Sequence, residues 1–230
     1  MITYTMKQSS ADWYTVKRGI PSASAFHRIV KSDGSPSSAR TGYIKQLIGE
    51  ILGEQEYSPT AFSDRGLMRP HTAAMAHGKN TEPAARQFYA LEKNCYVKQV
   101  GFVTTDDHRF GCSPDGLIGA NGGLELKCPQ EKAHFQYLGK GELPVRYKAQ
   151  VHGQIIVCEL DWVDFMSYSA GHDPLIIRVV PDEFTDMLAC ELFSFLRLYD
   201  EALDYRTGMT FYEAIAEVRR GETFETLKVA

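Results

Sequence analysis

Asp115, Glu125 and Lys127 are the residues of this 230-residue chain whose types and spacing best suit hydrolytic chemistry. Asp115 stands in Cys112-Ser113-Pro114-Asp115-Gly116, which reads as the end of a strand running into a tight turn. Ten residues later, Leu124-Glu125-Leu126-Lys127-Cys128 reads as a short alternating strand. Side chains two apart on a strand point the same way, so Glu125 and Lys127 share one face. Leu124, Leu126 and Cys128 then take the opposite, core-facing side. If the first face meets the Asp115 turn, two carboxylates and an ammonium converge. Carboxylates are hard oxygen ligands for Mg²⁺ or Mn²⁺. A divalent ion held there activates water and stabilises charge on a phosphate. The ammonium would orient that water or neutralise the scissile phosphate. A surface ion pair, worth little to stability, would look the same in sequence. Spacing alone does not choose between the two.

The elements that must position these residues follow from periodicity and breakers. Ser10 caps a short helix carrying Trp13 and Val16 that ends near Gly19-Ile20-Pro21. Ser22 or Ser24 opens a further turn or helix through Phe26, Ile29 and Val30, and residues 31–38 form a polar loop. Tyr43, Leu47, Ile48, Ile51 and Leu52 recur at helical spacing. After the segment bounded by Pro59 and Pro70, His71 to about Leu91 reads as a long helix that Gly78 and Pro83 weaken. Tyr96–Val103 is strand-like, Thr104–His108 turns it back, and Phe110–Ser113 completes a hairpin. Gly116–Ile118 follows, with a turn at Gly122-Gly123 before the Leu124 strand. Helices are expected at about 130–138 and 146–158, strands at 163–168 and 175–180, and helices at about 183–205 and 210–219. Helices, then a mixed sheet, then helices predict one α/β (α+β) layer architecture in a single domain over residues 1–230. No internal repeat is visible.

Composition narrows the classes. Hydrophobic residues make up 43% and charged residues 23%, a globular balance that excludes disorder and fibrous repeats. Apolar stretches such as residues 154–158 are far too short to span a bilayer, and Met1–Met6 does not resemble a secretory signal. Five cysteines without a CxxC pair fit free thiols in a reducing cytoplasm, with Cys112 and Cys128 as neighbours that spacing leaves open. The net charge of -4 hides an asymmetry. Residues 1–48 carry seven basic against two acidic side chains, and residues 181–204 carry seven acidic against one basic. A polyanion partner is therefore compatible with the N-terminal part.

Residues 112–129, with Cys-Ser-Pro-Asp-Gly and Gly-Leu-Glu-Leu-Lys-Cys-Pro, resemble the PD-(D/E)xK nuclease superfamily. More narrowly they resemble the phage lambda exonuclease and YqaJ-type viral recombinase family. Trp13–Ser24 is similar to that family's N-terminal Trp, basic, Gly and Ala-Ser segment. His77-Gly78-Lys79-x-x-Glu82 resembles its Gly-Lys-x-x-Glu helix, and Tyr147-x-Ala149-Gln150-Val151 its glutamine-bearing helix. Together these cover most of residues 13–170 in the family's order.

The resemblance implies a restriction-endonuclease-like core, a central mixed β-sheet flanked by helices. It implies Asp115, Glu125, the Leu126 carbonyl and Glu82 as ligands of one or two Mg²⁺ ions, with Mn²⁺ substituting. Lys127 would position the hydrolytic water, and Gln150 would support the carboxylates or the substrate. It further implies 5′-to-3′ digestion of one strand from double-stranded DNA ends, leaving 3′ overhangs for recombination. The acting species would be a ring-shaped homotrimer in a bacterial cytoplasm, with phage, prophage or host origin left open, handing its product to a single-strand annealing protein. A 5′-phosphate pocket would fall to Lys17 or Arg18 with Ser24 and Ser113. The family has arginine at the position of Lys17, and lysine lacks the planar bidentate fork. Met75 would be an apolar wedge at the DNA end. A related DNA endonuclease, or a non-catalytic DNA-end-binding accessory protein, is the alternative.

Overall fold

The computed structural model describes residues 1–54 and 73–218. In chain order the elements are β1 (Ile2–Tyr4), α1 (Ala11–Lys17), a 3-10 helix (Ala23–Arg28), α2 (Arg40–Ile51) and α3 (Ala73–Glu92). They continue with β2 (Val97–Lys98), β3 (Phe102–Thr104), β4 (Gly111–Cys112), β5 (Gly116–Ile118) and β6 (Gly122–Lys127). Next come α4 (Glu131–Lys140), α5 (Val145–Cys158), β7 (Trp162–Ser167), β8 (Leu175–Val179), α6 (Glu183–Thr207) and α7 (Phe211–Val218).

The central sheet has the order β2-β5-β6-β7-β8 and is mixed. β6 and β7 are parallel, and the other neighbours antiparallel. A parallel pair needs a crossover longer than a hairpin turn, which α4 and α5 supply between these two strands. This is the expected α/β architecture, a central mixed sheet flanked by helices.

β6 is covered on both faces. Leu124, Leu126 and Cys128 point into a small apolar cluster with Ala85 and Tyr89 of α3 and with Met166. The face that carries Glu125 turns toward α5. A larger core, built around Phe26, Leu47, Val151, Phe165, Phe195 and Tyr199, packs the 3-10 helix, α2 and α6 around α5. α3 runs unbroken through Gly78 and Pro83, with the proline ring facing solvent. Gly78 lies close to the Cys128 carbonyl, where an added Cβ would stand 3.6 Å away.

Two local expectations are corrected, and one contact that spacing left open is resolved. Tyr96–Val103 is not one strand: β2 joins the central sheet, whereas β3 joins a separate antiparallel sheet of order β1-β3-β4. The chain breaks at Gly101, where the N–H donates to the Tyr4 carbonyl at 2.8 Å and a Cβ would lie 2.0 Å from the Met6 carbonyl oxygen. Because that obstacle is backbone, Gly101→Ala should destabilise by about 1–3 kcal/mol through overpacking. A urea midpoint equal to wild type would show that the close approach is not enforced. The turn before the Leu124 strand lies at Gly119–Asn121, with Gly119 at φ 59°, while Gly122 and Gly123 are already paired within β6. A side chain at Gly122 would collide with the Trp162 ring, 2.3 Å from an added Cβ. Finally, Cys112 lies against Cys158 (Sγ–Sγ 3.2 Å), both free thiols, while Cys128 belongs to the smaller core. Among the described residues no helix is long and apolar enough to cross a membrane.

Candidate active site

Glu125, in the middle of β6, is 1% exposed and both its carboxylate oxygens are engaged. Oε1 accepts from Lys127 Nζ at 2.5 Å and from Gln150 Nε2 at 2.6 Å. Oε2 accepts from Gln154 Nε2 at 2.5 Å. Gln150 and Gln154 are four apart on α5, the spacing that sets two side chains one above the other on a helix face. The Lys127 ammonium lies over the Tyr147 ring, 4.9 Å from its centroid.

Asp115 leads from β4 into β5, and its turn is stitched to β6. Its Oδ2 accepts the Leu126 N–H at 2.6 Å, and its own N–H donates to the Leu124 carbonyl at 3.1 Å. Arg86, one turn beyond Glu82 on α3, donates Nε to the Asp115 carbonyl at 2.9 Å. Seven residues after Glu82, Tyr89 donates its hydroxyl to buried Asp164 at 2.7 Å. Asp164 also accepts a bidentate Arg178 at 2.8 and 2.9 Å. These polar ties and the apolar cluster beneath fix α3, and so the course of Glu82, over the sheet.

The electrostatics describe a site short of positive charge. Burial and the charge of Glu125 push the Asp115 carboxyl up to about 8 against the opposing pull of Lys127. Burial also raises Glu82, with Arg86 and Lys127 opposing and Glu125 adding to the rise. For Lys127 burial works against the charge, but Glu125 and Asp115 outweigh it and raise its pKa. Acids that cannot all ionise cheaply together fit a hard divalent cation, whose charge would reverse that balance. Among the described residues no three His, Cys, Asp or Glu side chains stand together as a ready metal cluster. An ion here would rest on Asp115 and Glu125, with Glu82, main-chain oxygen and water completing the donor set.

The N-terminal residues form a second group. The Trp13 indole N–H lies 2.9 Å from Ser113 Oγ and 3.0 Å from the Gly101 carbonyl. Ser113 Oγ itself donates to that carbonyl at 2.9 Å. The Lys17 ammonium lies over the Trp13 ring at 4.5 Å, its pKa lowered to about 8 by burial despite Glu50. A parallel bridge between Ser22 and Gly111 brings the Ser22–Ser24 segment alongside β4, which continues to Ser113. Ser24 is exposed, with its hydroxyl 3.4 Å from that of Ser22. Arg18 Nε is buried without a hydrogen-bond partner among the described residues. The Met75 side chain lies outside the described residues.

The structure thus brings Asp115, Glu125, Lys127 and Gln150 together, places Glu82 within their field, and sets Lys17 and Ser113 around Trp13. Sequence reasoning missed Gln154 and Arg86. Each follows a recognised residue by four positions on the same helix, and that spacing is the signal that would have found them.

The central mixed sheet flanked by helices is consistent with an α/β nuclease core. Residues 12–161 match the YqaJ-like viral recombinase domain, and the chain belongs to that family. An alkaline exonuclease from Laribacter hongkongensis, LHK-Exo, is similar in structure with a TM-score of 0.71 at 25% identity, covering 85% of this chain and 95% of the other. The same exonuclease in complex with dAMP gives 0.70 and 26%, with the same coverage. A phage-related exonuclease from Haemophilus somnus 129PT shares the fold, with a TM-score of 0.58 at 12% identity over 82% of this chain and 96% of the other. No curated protein matches the chain.

Proposed function

We propose that this protein is a Mg²⁺-dependent DNA exonuclease that digests the 5′-ended strand of duplex ends and leaves a 3′ overhang. The observation that carries the reading is the convergence of Asp115, Glu125 and Lys127 beside the Leu126 main chain. Family membership and the likeness to exonucleases support it, and a relative holding dAMP holds a nucleoside monophosphate, the product class of such an enzyme.

Asp115, Glu125 and the Leu126 carbonyl would hold the ion or ions, with Glu82 contributing from α3. The chemistry such an ion supplies when bound is Lewis-acid assistance to the attacking water and neutralisation of charge on the phosphate. Lys127, kept protonated by its neighbours, supplies a donor toward the water or the scissile phosphate. Gln150 holds Glu125 Oε1 from the helix side.

Lys17 or Arg18, with Ser24 and Ser113, would receive the 5′-phosphate. Ser113 has one hydroxyl proton, and it is bonded to the Gly101 carbonyl, so contact with phosphate requires that bond to be exchanged. An incoming dianion would also raise the Lys17 pKa from about 8 and fix its charge. Met75 would wedge the terminal base pairs. A homotrimeric ring in a bacterial cytoplasm, passing its product to a single-strand annealing protein, completes the proposal.

Matched linear duplexes with 5′-phosphate or 5′-hydroxyl ends test it, beside a closed circle. The phosphorylated strand should disappear about tenfold faster or more, the worth of a charge-assisted hydrogen bond, and the circle should survive. Equal rates would remove the phosphate pocket, and a cut circle would indicate an endonuclease. Binding to ends without cleavage in Mg²⁺ or Mn²⁺ would indicate an accessory protein.

A further inference from the structure

We propose that Gln154 is a positioning residue for Glu125, fixing the plane of its carboxylate so that one direction is presented to a divalent cation. The inference rests on the nuclease reading above and adds a residue to it.

The two oxygens of Glu125 are served unequally. Oε1 has two donors, Lys127 and Gln150, so losing either leaves one. Oε2 has the Gln154 amide. The terminal torsion of a glutamate is broad and nearly two-fold, so a carboxylate held at one oxygen still pivots. Held at both oxygens from different elements, β6 and α5, it does not. The lone pairs left over then point in a fixed direction.

Gln154 also carries an unmet cost. It is 1% exposed, and its amide oxygen is buried with no hydrogen-bond partner among the described residues. Turning the amide over would not help, because the oxygen would then face the carboxylate. The orientation of Gln154 is therefore dictated by Glu125. Its buried neighbours on α5 include Val151, Ile155 and Val157, and an apolar side chain of similar volume would fill the position without an orphaned acceptor. Packing alone does not call for glutamine here. Donation to Glu125 does.

The test is a Mn²⁺ titration of the metal-free full chain, followed by water-proton relaxation, for wild type, Gln154→Met and Gln154→Asn. Methionine keeps the volume without a donor, and asparagine keeps the amide but withdraws its reach. Thermal unfolding without metal runs alongside. Both variants should fold yet bind Mn²⁺ about tenfold more weakly or worse, as when a residue supporting a metal ligand is lost. The Mg²⁺ concentration for half-maximal digestion should rise in proportion, with the rate at saturating metal within a few-fold of wild type. Folded variants that bind Mn²⁺ as wild type does would overturn the inference. So would unfolding of both, which would assign Gln154 to stability. A wild type that binds no Mn²⁺ would instead overturn the nuclease reading itself.

Discussion

Lys127→Met is expected to slow digestion of linear duplex DNA by about 10²–10³-fold, the usual loss when one donor to a developing charge is removed. The ammonium is held 2.5 Å from Glu125 and over the face of Tyr147, and its raised pKa keeps it charged at any working pH. Methionine keeps an unbranched side chain of similar volume while deleting the charge that lies over Tyr147. Glu125 would still be bonded by Gln150 and Gln154, so the fold should survive with a loss of about 1–3 kcal/mol in urea. Digestion within a few-fold of wild type, from a folded variant, would exclude Lys127 from the chemistry.

Asp115→Asn should abolish hydrolysis and, without metal, make the protein more stable near pH 8. The folded carboxyl is pushed up to about 8 from an ordinary value of 3.8, because it is half-buried, poorly solvated and faces Glu125. Between those values the native state keeps a proton that the unfolded chain has released. This contribution to stability is complete below about pH 4 and is lost as pH rises through 8. A tenfold difference in proton affinity between the folded and unfolded chain corresponds to about 1.4 kcal/mol, so the whole effect is on the order of a few kcal/mol. Asparagine is neutral throughout and still offers an oxygen to the Leu126 N–H. Metal-free wild type should therefore lose stability from about pH 4 to 8 in urea titrations and level off above that, and the variant should not. Mg²⁺ should restore stability to wild type alone. Parallel pH profiles for the two proteins would remove the strain assigned to Asp115.

The acid-lysine group was legible because strand alternation and a Pro-Asp-Gly turn are local signals. Glu125 and Lys127 share a face, and Leu124 and Leu126 share the other, as period two requires. What alternation did not reveal is that both faces are covered, which leaves Glu125 at 1% exposure among amides from α5. Gln154 escaped for that reason: its role depends on a helix arriving from another part of the chain. The split of Tyr96–Val103 between two sheets was equally hidden. It is imposed by the Met6 backbone against Gly101, a contact between residues far apart in sequence. β1 is a three-residue strand with no turn signal to mark it, and its pairing with β3 is also long-range. The Cys112–Cys158 contact belongs to the same class.

The most direct measurement is the release of acid-soluble nucleotides from a uniformly labelled linear duplex, before and after Mg²⁺ is added to chelated protein, for wild type beside Glu125→Gln. Mononucleotides should appear with wild type after Mg²⁺ and not before, and the folded variant should release at most about a thousandth as much. Release without a divalent ion, or equal release by Glu125→Gln, would contradict a metal-assisted site built on Asp115, Glu125 and Lys127.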